Sequence, residues 1–295
     1  MVDPKIRALA QRKDRPGVIR MAVHLGTLVA TGGLIQTATD PVATGLAMLI
    51  HGIVLTFLFA PLHEAIHRTA FRTRSLNLIA AELGGLVMVL PPRYFRAFHF
   101  AHHRHTQDPE RDPELLAPKP KTRREYFWVL SGFDYWIRSI RGLILHALGQ
   151  AGEAFIAPGF RHRVIAEARA YSLIYSALAL LSVATESDAI LRFWIVPALL
   201  GQPFLRAYLL VEHWGRPTVP DMWLNSRTTA SNRLVRLLAW NMPYHAEHHA
   251  HPGIPFHALP ALHDLAPPDR GPINPGYLGF HMREVPRLIL TRKGV

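Results

Sequence analysis

Two stretches of the chain, Met21 to Thr39 and Val42 to Pro61, are apolar and contain no Asp, Glu, Lys or Arg, apart from Asp40 between them. A helix of about 20 residues, rising 1.5 Å per residue, crosses a hydrocarbon core of roughly 30 Å, so the pattern predicts an antiparallel pair of spanning helices. A cleaved leader ending near Ala38 fits less well, because the run is long enough to span. A second hairpin is expected from Ala166–Ala184 and Ala189–Val211 around the polar turn Thr185-Glu186-Ser187-Asp188. The apolar segment Ser75–Pro92 is shorter, carries Glu82, Gly84 and Gly85 and ends in Pro91-Pro92, which suggests a re-entrant or interfacial piece. Between residues 127 and 148 apolar and aromatic positions alternate with Arg138 and Arg141, as in a helix lying along a membrane surface. The remainder, 93–165 and 212–295, is polar and forms an expected cap, with the Pro-rich 266–276 as an irregular loop. The fold expected is therefore one all-α integral membrane domain over residues 1–295, with about four transmembrane helices and a cytoplasmic helical cap.

Charge sets the orientation. The net charge is +12, and Lys and Arg are absent from the two outer turns but abundant in the N-terminus, the middle block and the C-terminal block. Cytoplasmic loops retain positive charge, so both termini and the cap are expected in the cytoplasm, in an inner or cytoplasmic membrane. No nucleic-acid-binding motif accompanies the basic balance. The sequence contains no cysteine, which excludes disulfides, thiolate metal sites and iron–sulfur clusters, whereas 18 histidines offer nitrogen donors.

Those histidines are clustered. His63-Glu64-Ala65-Ile66-His67 places two imidazoles at i and i+4, on one helix face. His99-Phe100-Ala101-His102-His103 and His245-Ala246-Glu247-His248-His249 share the spacing His-x-x-His-His, and His213 follows the last expected span. A chain of this composition would show that spacing by chance roughly 0.07 times, so two copies call for a cause. His-Glu-x-x-His alone also fits a zinc protease, but such an enzyme has no use for the two other boxes. Eight box imidazoles and His213 exceed the needs of one ion, so a di-metal site is expected. Neutral nitrogen donors suit iron, zinc, copper or nickel alike. Glu64, Asp108, Glu212 and Glu247 are candidates to accept the second ring N–H of a ligand. His24, His51 and His146 stand alone on apolar stretches and read as structural, His105, His251 and His257 lie beside the boxes without their spacing, and His162, His263 and His281 read as surface residues.

The three boxes, with Asp108-Pro109-Glu110, Glu212-His213 and the approach Asn241-Met242-Pro243-Tyr244, resemble the membrane fatty acid desaturase superfamily from about Met21 to His263. The resemblance implies two non-haem irons held by His63, His67, His99, His102, His103, His213, His245, His248 and His249. It also implies Asn241 as a residue supporting a ligand or a water, molecular oxygen as oxidant, and a lipid or acyl substrate. Electrons would come from a separate ferredoxin, rubredoxin or b-type cytochrome. The short gap in the first box favours lipid-linked or unusual substrates. Removal of two hydrogens would give a double bond. The same site in a hydroxylase, ketolase or decarboxylase would act on another hydrocarbon, and a non-catalytic metal-binding membrane protein is the remote alternative.

Overall fold

The computed structural model describes residues 3–117 and 119–291; residue 118 and the extremities of the expected 1–295 domain lie outside the described residues. The helices are α1 (Pro4–Leu9), α2 (Asp14–Thr37), α3 (Pro41–Thr56), α4 (Phe59–His67), α5 (Arg74–Met88), α6 (Pro92–His105), α7 (Arg123–Ser131), α8 (Phe133–Ala147), α9 (Arg161–Ala184) and α10 (Val196–His213). Short helices follow: α11 (Met222–Asn225), α12 (Arg233–Leu238), α13 (His245–Ala250), α14 (Leu259–His263), α15 (Tyr277–Gly279) and α16 (Val285–Thr291). No strand occurs among the described residues, only the isolated bridges Thr228–Tyr244 and Thr229–Asn274. The fold is all-helical, as expected.

Four helical stretches are long and apolar enough to span a bilayer: Asp14–Thr37, Pro41–His67, Pro158–Ala184 and Leu191–His213. Val29, Leu173, Leu180 and Val183 are exposed on them, as lipid-facing residues should be. With their family membership, established below, these helices make the chain an integral membrane protein. The first helix begins seven residues before the expected Met21. Its Arg20 donates to the carbonyls of Arg236 and Leu237 at 2.8 Å each, so that charge is absorbed by the cap and the helix need not stop there. At the turn between α2 and α3 Asp40 accepts from the N–H groups of Val42 and Ala43, and Pro41 occupies the first helical position, which fixes where α3 starts.

Two contacts bring the histidine-bearing helix ends together. The first is a glycine crossing between α3 and α10: a Cβ on Gly52 would lie 1.9 Å from the Pro197 carbonyl oxygen, and one on Gly201 would lie 2.0 Å from that of Gly52. Only glycine allows backbones to approach so closely, and spans associate through such small residues because lipid gives no hydrophobic drive between them. The second is a bend of 94° between α5 and α6. Proline at 91 and 92 cannot continue α5, and Val89 takes a left-handed conformation (φ 51°). The carbonyls freed at the end of α5 are taken up by side chains: Leu86 accepts from the Tyr175 hydroxyl at 2.9 Å, Val87 from the Trp194 indole at 3.0 Å, and Met88 from the Tyr135 hydroxyl at 2.6 Å. Across the bend Glu167 accepts from the N–H groups of Arg93 and Tyr94 at the start of α6. Irregular backbone at membrane depth survives only when its polar groups are satisfied in this way.

Candidate metal centre

The boxes occupy helix ends that the fold turns towards one another. α4 ends the second span and carries His63 and His67, α10 ends the fourth with His213, and α6 brings His99, His102 and His103 back beneath them. α13 closes the site with His245, His248 and His249, all buried. The turn into α13 is set by Asn241, left-handed at φ 61°, whose side-chain amide donates to the Phe256 carbonyl at 3.0 Å.

The imidazoles sort into two groups. His63, His67, His99, His103 and His248 form one, and His102, His213 and His249 the other, with the potential ligand atoms of each group within 4.8 Å of one another. His245 adjoins the second group, its Nε2 being 2.9 Å from that of His213. The corresponding separations are 3.2 Å for His102–His213, 2.9 Å for His99–His103 and 3.2 Å for His103–His248. Metal–nitrogen bonds of about 2.0–2.1 Å place neighbouring ligand nitrogens about 2.9–3.4 Å apart, so these spacings suit shared ions. Both ring nitrogens of His63 and the Nε2 atoms of His67 and His249 are buried without a hydrogen-bond partner. Such atoms are costly unless something else, here a metal, accepts their lone pairs. Burial, then the neighbouring imidazoles, holds His245, His248 and His249 well below the usual histidine range, which keeps them neutral and able to ligate.

Hydrogen bonds to the far ring nitrogens orient the ligands. His102 Nδ1 donates to Asp112 at 2.9 Å, and Asp112 itself accepts from the N–H groups of Gln107 and Glu114. His213 Nδ1 donates to the Asn225 carbonyl at 3.2 Å and His249 Nδ1 lies 3.2 Å from the Thr106 hydroxyl, whereas His245 Nδ1, 3.4 Å from Glu212, makes no hydrogen bond. Burial opposes ionisation of Glu114, but Lys119, His102 and His213 together hold its carboxyl well below the usual range.

The structure brings all nine box and companion histidines together, but it rearranges the carboxylates around them. The Asp108 carboxylate accepts from Arg111 and from backbone N–H groups in its own turn and has no imidazole partner, whereas Asp112 does the work expected of it. The clue lay in the repeat Asp108-Pro109-Glu110-Arg111-Asp112-Pro113-Glu114: the second copy, not the first, faces α6. Glu64 accepts from the Thr69 hydroxyl and the Phe256 N–H and is 4.0 Å from His248. Glu247 turns away from the metal groups, taking hydrogen bonds from the Thr228 hydroxyl and from His263, which is therefore no free surface histidine. Asn241 shapes the backbone and contacts no ligand. His281, also expected at the surface, accepts from the Tyr126 hydroxyl and donates to the Ala207 carbonyl, tying the C-terminal segment to α7 and α10. His24, His51 and His146 do hold structure, bonded respectively to Val54, to Thr31 and Phe193, and to Glu153.

A cavity of about 660 Å³ opens from these histidines between α6, α8 and α10. Five ligand candidates line it, His63, His99, His102, His213 and His245, and much of the rest of its wall is aromatic and aliphatic.

The fatty acid desaturase family matches residues 40–280. An sn-1 oleoyl-lipid 12-desaturase of Picosynechococcus sp. is 24% identical over 228 residues, 70% of this chain and 64% of that protein. Proteins of the same name from Anabaena variabilis and Synechocystis sp. are 24% identical over 239 residues (72% and 66%) and 23% identical over 245 residues (75% and 67%). The chain spans just under two thirds of the length of the first two relatives. With its three histidine boxes folded into one buried centre and the match running from the second span to the cap, the chain belongs to the fatty acid desaturase family.

Proposed function

We propose that the protein is an oxygen-dependent di-iron oxidoreductase that introduces a double bond into a fatty acyl chain of a membrane lipid. The observation that carries this reading is the position of nine imidazoles at the head of a largely apolar cavity. The donor set fits iron, being wholly nitrogen with open polar positions, and the five-histidine and three-histidine groups would each hold one ion, His245 completing the second. Bound iron would supply oxidation of an unactivated C–H bond by molecular oxygen, chemistry that no side-chain acid or base performs.

The chain's own residues supply position and dryness. Phe57, Phe59, Phe95 and Phe98 wall the cavity beside the ligands, so an extended hydrocarbon lies against them with one segment next to His63 and His99, away from water. Asp112 and Asn225 keep the Nδ1 proton on His102 and His213 and leave each Nε2 lone pair for the metal. The cap faces the cytoplasm, and a separate ferredoxin, rubredoxin or b-type cytochrome delivers electrons there. The acyl-lipid class is supported by the relatives' names.

The test is metal analysis of detergent-purified protein, with lipid profiling of cells expressing wild type or His248→Ala. About two irons per chain and an unsaturated lipid lost in the variant support the proposal. An oxygenated or shortened product would move it to hydroxylation or decarboxylation. If iron-reconstituted protein with oxygen and a reductant yields no product, the desaturase reading fails.

A further inference from the structure

Most charged groups along the cavity have a polar partner. Glu114 pairs with Lys119 at 3.4 Å, Asp134 with Arg138 at 2.7 Å, Glu153 with His146 at 2.6 Å and Glu212 with His245 at 3.4 Å, and Glu125 accepts from the Lys121 N–H. Two cations on its wall have no ion-pair or hydrogen-bond acceptor among the described residues: Arg141, which is exposed, and Arg206 on α10, which feels the carboxylates of Glu114, Glu212 and Asp134 only beyond ion-pair distance. Arg206 is the more enclosed of the two. Its Nε is buried without a partner, and its guanidinium lies 4.6 Å from the Tyr135 ring centroid. One turn deeper on α10, both amide atoms of the fully buried Gln202 are also unpartnered. A cation inside a span without a direct partner is expensive to keep, and such residues mark binding sites. Arg206 lies seven residues before His213, two turns along the same helix face and roughly 10 Å from it.

We propose that Arg206 is the subsite for an anionic head of the lipid substrate, a phosphodiester or a carboxylate, anchoring it two helical turns from the metal ligands. A planar guanidinium donates two parallel hydrogen bonds to either anion. Tyr135 holds the fork in place from the opposite wall. Anchoring the head fixes which carbons of the chain reach His63 and His99, so the position of oxidation is counted from the head and not from the methyl end. The inference rests on the lipid-oxidation reading only in taking this cavity as the substrate site.

The experiment is equilibrium binding to the detergent-purified full chain, read by native mass spectrometry. The probes are dioleoylphosphatidylglycerol, oleate and the uncharged dioleoylglycerol, against wild type, Arg206→Gln and Arg206→Lys. Wild type is expected to favour an anionic probe over dioleoylglycerol at least tenfold, Arg206→Gln to lose that preference while keeping wild-type metal content and dioleoylglycerol binding, and Arg206→Lys to retain part of it. Preference for phosphatidylglycerol alone assigns a phosphodiester, and equal preference for oleate assigns a carboxylate. The proposal is overturned if wild type shows no preference, if Arg206→Gln keeps it, or if both variants lose metal and neutral-lipid binding together, which marks a structural residue. Binding is read without turnover, so an Arg206-dependent preference in a wild type that desaturates nothing would sink the desaturase reading and leave this one standing.

Discussion

At the scale of single residues, the carboxylate that orients a ligand matters more than its nearness in sequence. Asp112 fixes the tautomer of His102, so Asp112→Asn is expected to weaken metal binding or activity by about 10–100-fold. Asp108→Asn, four residues away and bonded only within its own turn, should leave both close to wild type in the same metal titration. Replacing a ligand outright, as in His102→Ala, should abolish activity and deplete iron while the protein still reaches the membrane, which elemental analysis of membrane-extracted protein would check. The buried ligands on α13 also predict a pH dependence. Their folded-state values lie below the unfolded value of about 6.5, so between the two the unfolded chain binds more protons and stability rises with pH. Metal-free protein should therefore lose thermal stability as the pH falls below about 6.5, and a melting temperature unchanged between pH 7.5 and 5.5 would contradict the buried, neutral state of these rings.

Elements owe their placement to contacts that hydropathy does not reveal. The Gly52–Gly201 crossing sets the distance between the second and fourth spans, and hence between His63 and His213. Gly201→Val should cost at least the 1–3 kcal/mol typical of overpacking, roughly, because the obstacle is backbone. Guanidinium or thermal unfolding in detergent would measure it, with metal loss accompanying the shift. At the α5–α6 bend Glu167 caps two N–H groups, so Glu167→Ala should destabilise by about 1–2 kcal/mol. α5 was legible as an apolar segment ending at Pro91-Pro92, whereas α6 was legible only as part of the polar block that follows. The reach of Tyr135, Tyr175 and Trp194 to the freed carbonyls was not legible, since each comes from a helix remote in sequence.

For the whole molecule, the two histidine groups draw on four segments, α4, α6, the end of α10 and α13, and metal bound there would tie them into one body. Chelation is expected to lower the melting temperature and to open the α11–α14 region to protease, with iron restoring both, because an ion that binds only the folded state stabilises it. The absence of native cysteine makes topology testable: Ser187→Cys, in the turn between α9 and α10, should react with an impermeant thiol reagent from outside intact cells, and Arg233→Cys on the exposed surface of the cap only after lysis. The reverse labelling would invert the proposed orientation.

The sequence by itself determined the spans, because about 20 uncharged apolar residues have few stable places except a bilayer. It also determined the ligand types, because spacings of i, i+3 and i+4 put imidazoles on one face whatever the fold around them. Only the tertiary structure decided that these faces meet as a group of five and a group of three with His245 beside it, that Asp112 and not Asp108 orients His102, and that Arg206 faces the cavity without an ion-pair partner. Those outcomes depend on pairing between segments far apart in sequence, such as His103 with His248 and His63 with His248. Local periodicity carries no information about such distances; a glycine crossing and a satisfied bend supply it.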